Sequence, residues 1–176
     1  YTVIEGERSI PKIYIEPEAY DEMKRIFHMG RRHPQSMYEQ QVGLVGFKTG
    51  DILVVRYVFE DYGAYRYKDN AIFNRRIMEV AKFETEVINK NFADSDDADC
   101  YMGGAKKYSF LGFAHSHPVQ EELCYSVGDD LIHRRMVKKC RNYVGILIYP
   151  EKELLGAYYG PDVVQTDLVI VEADDI

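Results

Sequence analysis

Side chains that could do chemistry are concentrated between residues 115 and 129. His115 and His117 are separated by a single residue, and Ser126 and Asp129 follow them. Imidazole nitrogens and carboxylate oxygens are donors that a catalytic zinc ion takes, usually three from the protein with a further position open to water. These residues therefore form either a metal site or a strand end that leads into an ordinary helix cap.

The two histidines are spaced for joint binding of one ion. They end a mostly apolar run, YSFLGFAHSH, which predicts a buried strand. Side chains two positions apart on a strand share a face, so His115 and His117 should point the same way. Pro118 has no N–H and ends the strand, which puts both rings at its C-terminal end, where open α/β sheets tend to bind ligands. The strand thus supplies two zinc ligands.

Ser126 and Asp129 have two compatible interpretations. An S-x-x-D pattern before a helix is a capping box, with Ser126 at the cap and Asp129 near the third position. Taken alone, the S-x-x-D pattern favours a helix cap over a metal ligand. A lone H-x-H pattern likewise favours two polar residues at a strand end over a metal site. Together they predict a zinc site with His115, His117 and Asp129 as ligands, because the cap fixes where Asp129 points.

The rest of the chain must supply the elements that position these residues. Alternation, helical spacing and turn signals predict a mixed series of strands and helices without repeats or low-complexity linkers. Such a series indicates one α/β domain over residues 1–176, with a central mixed β-sheet flanked by helices. The predicted strands are Lys12–Ile15, two joined around Thr49-Gly50-Asp51, 108–117, and three within 143–150, 153–160 and 167–174; the predicted helices begin near Pro17, at 76 and at 127.

Several finer expectations follow from the same patterns. We predict a flexible start at 1–10, a tyrosine-rich loop over 60–76 and a mobile acidic loop over 95–107. In the helix over 76–92 the apolar face should include Phe83. In the helix that begins at 127, Leu131 should face inward. His133 is either an exposed helix residue, which we favour, or a partner of the metal ligands, because it lies four residues after Asp129. Cys124 should pack as a small hydrophobic residue, the alternative being an approach to the open zinc position. The remaining inward candidates are Ile77, Val80, Val87, Ile88, Met136 and Val137.

Composition excludes some functional classes. The chain has 176 residues, 46% of them hydrophobic, and a formal net charge of −7. An acidic chain argues against a nucleic-acid partner, because such binders usually carry a basic surface. The 3 cysteines form no C-x-x-C pair, which favours a reduced, cytoplasmic compartment. No apolar run is long enough to cross a bilayer, so we expect no membrane partner.

The HSHP stretch followed by SVGD resembles the zinc signature of the JAMM family, the MPN+/JAB-domain metalloproteases that include deubiquitinases of the proteasome lid and the COP9 signalosome. The preceding FLGFAHSHP is similar to the family's GWYHSHP strand. The likeness runs from the first helix to about residue 149, with one extra residue between His117 and Ser126. It implies a JAB/MPN fold of cytidine-deaminase-like architecture, with Zn²⁺ as cofactor.

The resemblance also implies a catalytic glutamate within the pattern E-x-x-G-x-x-x-G. The corresponding stretch is YEQQVGLVGF. Alignment on Gly46 puts Glu39 in the slot, whereas alignment on Gly43 puts Gln40 there, which cannot act as a base. We take Glu39 as the general base. Gln40 in that slot would indicate a catalytically inactive protein, natural or engineered.

The implied function is a zinc-dependent metalloprotease or isopeptidase. It would cut a peptide or isopeptide bond at the C-terminus of a ubiquitin-like modifier or another conjugated protein, with Ser126 donating to the oxyanion. The chain looks like a stand-alone, prokaryotic-type member of the family. Such members act in ubiquitin-like conjugation or in anti-phage defence, and the resemblance is compatible with a homodimer. Tyr62, Tyr65 and Tyr67 lie where the family carries substrate-binding insertions. The alternative is an inactive MPN-type scaffold.

Overall fold

The computed structural model describes residues 10–34, 39–60, 65–66, 71–72, 77–92, 107–117 and 123–170. Those residues form three α-helices and ten β-strands. The helices are α1 (Pro17–Phe27), α2 (Ile77–Phe92) and α3 (Val127–Val137). The strands are β1 (Lys12–Ile15), β2 (Gln41–Thr49), β3 (Ile52–Glu60), β4 (Tyr65–Arg66), β5 (Ala71–Ile72), β6 (Ser109–Ser116), β7 (Val144–Tyr149), β8 (Leu154–Tyr159), β9 (Val164–Thr166) and β10 (Leu168–Ile170).

Eight of these strands form one mixed sheet. Their order is β10-β1-β3-β2-β6-β7-β8-β9, while β4 and β5 form a separate pair. Strand β6 is antiparallel to β2 and parallel to β7. The two edge strands, β9 and β10, are joined through Asp167 alone, so the sheet is nearly closed. At this seam the Thr166 hydroxyl donates to the Pro11 carbonyl at 2.6 Å.

Alternation along the strands separates two faces of the sheet. On one face, α1 buries Met23 and Phe27 against a large apolar cluster that includes Ala114 of β6. On the other face, Phe113 of β6 packs with Met136 of α3. Because side chains alternate along a strand, residues 113, 115 and 117 share the face that is covered by α3. The sheet therefore presents both histidines to the helix that begins beside Asp129.

The structure confirms the main sequence-based elements. A single α/β domain with a mixed sheet is present, β1 spans Lys12–Ile15, and α1 begins at Pro17. The chain turns at Gly50 between β2 and β3. No α-helix among the described residues is long and apolar enough to cross a membrane. The predicted flexible start and acidic loop lie outside the described residues except for Ile10 and Lys107.

Other expectations were wrong. Part of the predicted loop over 60–76 forms the β4–β5 pair, and β9 was not predicted. Phe83 is 62% exposed and Leu131 is 54% exposed, although both were expected to face inward. Among the described side chains of α2 the buried ones are Ala81 and the predicted Ile88, which join Val45 of β2 in one apolar cluster. In α3 the buried positions are His133 and Met136.

Candidate metal centre

The end of β6 holds the two histidines side by side. Their Nε2 atoms are 3.1 Å apart, and the ring planes meet at 65°. The backbone N–H of His117 donates to the Ile148 carbonyl at 2.9 Å, so pairing with β7 continues through this residue. His117 is 3% exposed. The prediction that both rings point the same way is confirmed.

Helix α3 delivers the third candidate ligand. Ser126 caps the helix: the Asp129 N–H donates to Ser126 Oγ at 3.2 Å, and the Ser126 N–H donates to Asp129 Oδ2 at 2.8 Å. This reciprocal pair is the predicted capping box. With its orientation fixed in this way, Asp129 places Oδ1 at 3.1 Å from His115 Nε2 and Oδ2 at 3.1 Å from His117 Nε2.

The arrangement fits a metal ion. An Nε2 atom offers either one lone pair or one hydrogen, so it is suited to one direct hydrogen bond. His115 Nε2 nevertheless has two polar atoms at 3.1 Å, His117 Nε2 and an Asp129 oxygen, as ligands of a shared ion would. Ligands of a tetrahedral zinc ion, each about 2.0–2.1 Å from the metal, lie roughly 3.3 Å from one another. The ligand atoms of His115, His117 and Asp129 all lie within 4.8 Å of one another. These three residues can therefore hold one cation.

The charge of the site also suits a cation. Burial raises the pKa of Asp129, but hydrogen bonds from His115, His117 and the Ser126 N–H lower it more, and the net result is a pKa well below the usual value. Asp129 is therefore an ionised carboxylate. Ligation through Nε2 would put the ring proton of His117 on Nδ1, the nitrogen that a ligating histidine usually donates to a second group; the described residues supply no acceptor for it.

Strand pairing distinguishes Glu39 from Gln40. The Gln40 carbonyl accepts from the Ser116 N–H at 2.9 Å, and the Gln40 N–H donates to Ser116 Oγ at 2.8 Å. Gln40 thus pairs with Ser116, on the face opposite the histidines, and residue 39 lies opposite His117. Glu39 Oε1 is 3.7 Å from His117 Nε2. The structure brings Glu39, and not Gln40, into the candidate site.

The other predicted site residues have different outcomes. Ser126 is exposed at the rim of the site. Its Oγ accepts from Asp129, which leaves the hydroxyl hydrogen available to a further acceptor. Tyr62 and Tyr67 lie outside the described residues. Tyr65 is described through its backbone alone, which pairs with Ile72 in the β4–β5 pair.

The sequence left two roles open for His133, and the structure places it in a hydrogen-bonded pair beside the candidate ligands. His133, expected to be exposed, is 1% exposed; its Nε2 lies 3.1 Å from the Gly160 carbonyl and its Nδ1 3.3 Å from the Tyr125 hydroxyl. Burial lowers the pKa of His133 to about 4, so the ring is neutral near pH 7. Its spacing of four residues from Asp129 on one helix had indicated the less favoured alternative, a partner of the ligands. Cys124, expected to pack, is exposed.

The fold and the site together define an α/β protein with a candidate metal centre between a central strand and a helix start. No family model matches the chain, and no curated protein matches it. The solution structure of protein DSY2949 from Desulfitobacterium hafniense, a target of the Northeast Structural Genomics Consortium, has a similar fold. Its TM-score is 0.57 at 17% identity, and the likeness covers 91% of this chain and 93% of that chain. That likeness concerns the fold alone.

Proposed function

We propose that the protein is a zinc-dependent peptidase or isopeptidase of JAB/MPN architecture. The observation that carries the proposal is the meeting of four side chains from three parts of the chain. His115, His117 and Asp129 converge as ligands, and the Glu39 carboxylate lies 3.7 Å from His117 Nε2. Two imidazoles and one carboxylate, with a further carboxylate nearby, form the donor set and base that a zinc hydrolase needs.

The roles of the chain's own residues follow from their positions. Zinc in such a site supplies Lewis acidity, which polarises a carbonyl and lets water lose a proton near neutral pH. Glu39 accepts the proton of the attacking water and returns it to the leaving nitrogen as the carbon–nitrogen bond breaks. Glu39 thus ends the cycle ionised, as it began.

Ser126 supplies the second catalytic group of the proposal. The carbonyl oxygen of the scissile bond gains negative charge as water adds to its carbon. The Ser126 hydroxyl has its Oγ occupied by the Asp129 N–H and its hydrogen available, so it can donate to that oxygen. Removal of one such donor typically costs about 3 kcal/mol of transition-state stabilisation.

The proposed substrate is the C-terminal tail of a ubiquitin-like modifier, or of another conjugated protein, joined to an amine. The resemblance of the HSHP and SVGD stretches supports this substrate class. The 3 cysteines, which form no C-x-x-C pair, support action in the cytoplasm. Tyr62, Tyr65 and Tyr67 stay predicted contacts of that tail. Amines on lysine side chains are the leaving groups that would make the enzyme an isopeptidase.

Two measurements test the proposal. Elemental analysis of metal-replete protein should give about one zinc per chain. Glu39→Gln should keep that zinc and lose turnover on modifier tails linked to an amine, by a factor of at least about 10². Gln40→Ala is the matched control: it should keep turnover, because Gln40 pairs with Ser116 on the other face.

The outcomes separate the alternatives. Full turnover in Glu39→Gln would remove Glu39 from the mechanism. Protein that binds no zinc when metal is supplied in excess would exclude the enzyme and leave the scaffold interpretation. Protein that binds zinc but cleaves none of the modifier-linked tails would retain the metal centre and reject the proposed substrate.

A further inference from the structure

A hydrogen-bonded pair, formed by the buried His133 and the half-buried Tyr125, lies beside the candidate metal ligands. Tyr125 immediately precedes the cap residue Ser126, and His133 lies in the next turn of α3 after Asp129. The Tyr125 hydroxyl and His133 Nδ1 are 3.3 Å apart. No residue of this pair touches the ion position directly, so its effect on the site must pass through other side chains.

Only one arrangement of hydrogens satisfies this pair. The Gly160 carbonyl can only accept, so His133 Nε2 carries the hydrogen and donates to it over 3.1 Å. His133 Nδ1 is then an acceptor, and the Tyr125 hydroxyl donates to it. The imidazole thus joins the residue before the cap of α3 to the turn after β8.

Further contacts immobilise the Tyr125 ring. One contact is stacking on Tyr158, with ring centroids 3.8 Å apart and an interplanar angle of 18°. The Tyr125 N–H also donates to the Tyr158 hydroxyl at 3.2 Å. The ring of His115 lies 5.9 Å from the Tyr125 ring, centroid to centroid. Tyr125 therefore contacts one ligand through its ring and precedes the cap that orients another.

The sequence leaves room for this hydroxyl at a specific glycine. A side chain at Gly145 of β7 would overlap the Tyr125 hydroxyl and would lie 3.2 Å from His133 Nδ1. The close approach of the pair to the sheet thus depends on the missing Cβ at that position. Strand β7, the residue before the cap and helix α3 therefore meet at the Tyr125 hydroxyl.

We propose that Tyr125 and His133 are positioning residues of the metal centre: their hydrogen bond fixes the His115 ring and the Ser126–Asp129 cap in the arrangement that binds the ion. The proposal rests on the proposed function for its effect on turnover, but its effect on metal affinity does not depend on any substrate. Groups that orient metal ligands typically change metal affinity or activity about 10–100-fold when removed.

The test compares single and double variants of the 176-residue protein after removal of metal. Tyr125→Phe keeps the ring and its stacking but removes the hydroxyl. His133→Gln keeps a donor for Gly160 but loses the acceptor at Nδ1, whereas the His133→Asn amide oxygen can replace that acceptor. Tyr159→Phe is the matched control, since its hydroxyl donates to Asn142 Oδ1 at 3.4 Å, away from the ligands.

The readouts are Zn²⁺ affinity by chelator competition and the visible spectrum of bound Co²⁺, which reports ligand geometry. Tyr125→Phe and His133→Gln should each weaken Zn²⁺ binding about tenfold or more and shift the Co²⁺ spectrum. The double variant should be no weaker than either single variant, because both remove one bond. His133→Asn should recover most of the affinity, and Tyr159→Phe should match the wild type.

Wild-type Zn²⁺ affinity and an unchanged Co²⁺ spectrum in folded Tyr125→Phe would overturn the inference. Losses of Zn²⁺ affinity that multiply in the double variant would overturn it as well. If Tyr125→Phe fails to fold, the comparison of His133→Gln with His133→Asn still tests the inference, because only His133→Asn should recover the affinity. On a cleaved substrate, kcat should fall with KM unchanged. If the wild type binds zinc but cleaves no modifier-linked tail, the proposed function fails while the affinity data still decide the role of Tyr125 and His133.

Discussion

The backbone N–H of Ser126 donates to the same Asp129 oxygen, Oδ2, that lies 3.1 Å from His117 Nε2. One carboxylate therefore caps a helix and faces both histidines. The helix cap and the candidate metal site, which the sequence allowed as compatible interpretations, are a single arrangement. Ser126 should consequently contribute both to the stability of the fold and to the function of the site. Substitutions at Ser126 can distinguish these two contributions.

Substitution of Ser126 tests that separation. Ser126→Ala should lower the free energy of unfolding by about 1 kcal/mol, whereas Ser126→Gly should lower it by only a few tenths. Both should reduce kcat about 10²–10³-fold, because both lack the hydroxyl donor. Ser126→Thr should retain most of both properties. Urea unfolding and steady-state kinetics give the two readouts, and a kcat that tracked stability across the series would assign Ser126 to capping alone.

Metal removal should destabilise the fold in proportion to metal binding. An ion that binds only the folded state stabilises it by about 2.7 kcal/mol at 100 times its Kd. Chelation should therefore lower the unfolding temperature of the wild type and of His33→Ala, a control histidine that stacks on His28. His115→Ala should unfold at the same temperature with or without chelator. A chelator response in His115→Ala would place the ion elsewhere.

Gly145→Ala should cost stability through overpacking. The added methyl group would overlap the Tyr125 hydroxyl, and forcing atoms into a packed interior typically costs about 1–3 kcal/mol. Gly128→Ala is the matched control within α3, since its Cβ would meet only Ser126 Oγ at 3.7 Å. Because alanine favours helix, this control should gain up to about 1 kcal/mol. Urea unfolding measures both, and equal stabilities would contradict the packing argument.

The buried His133 predicts a pH dependence of stability. Burial lowers the pKa of His133 from 6.5 to about 4. Between these values the unfolded chain takes up a proton that the folded protein does not, so the free energy of unfolding should fall as pH drops through this range. Above pH 6.5 this group adds no slope. The maximum effect is a few kcal/mol, at about 1.4 kcal/mol per unit of pKa difference.

His133→Gln provides the control for the pH experiment. Asp129 has a strongly lowered pKa and stays ionised in this window, so it does not mimic the effect. Urea unfolding of metal-free protein at pH 7 and pH 5 should show a larger loss for the wild type than for His133→Gln. Identical losses in the two proteins would mean that His133 is not the group responsible.

Local patterns were sufficient to predict much of the site. The i, i+2 spacing of His115 and His117 predicted a shared face, and S-x-x-D predicted the cap that orients Asp129. Both are short-range rules that depend on backbone geometry alone. The sequence favoured Glu39 over Gln40 through alignment on Gly46, but the opposite placement of the two residues depends on the pairing of Gln40 with Ser116, which lies 76 residues away. The pairing of Gln40 with Ser116 cannot be predicted from the stretch YEQQVGLVGF alone.

The burial of side chains in α3 could not be predicted from local patterns. Leu131 is exposed and His133 is buried, the reverse of what hydrophobicity predicts. A buried imidazole is tolerated because the Gly160 carbonyl and the Tyr125 hydroxyl satisfy both of its nitrogens. Gly160 is 27 residues from His133 along the chain, so only the folded structure reveals this partner. Phe83 likewise follows helical spacing yet lies at the surface.

The nearly closed sheet bears on the order of folding. Strand β10 pairs with β1, and the bond from Thr166 to Pro11 joins residues 155 positions apart. Contacts of such long sequence separation are slow to form, because the chain must lose much entropy before they contribute. The pairs β2–β3 and β7–β8 are closed by short turns and need no such search. The candidate ligands lie on β6 and α3, in the middle of the strand order and not at the seam, so their convergence does not depend directly on the contacts across it.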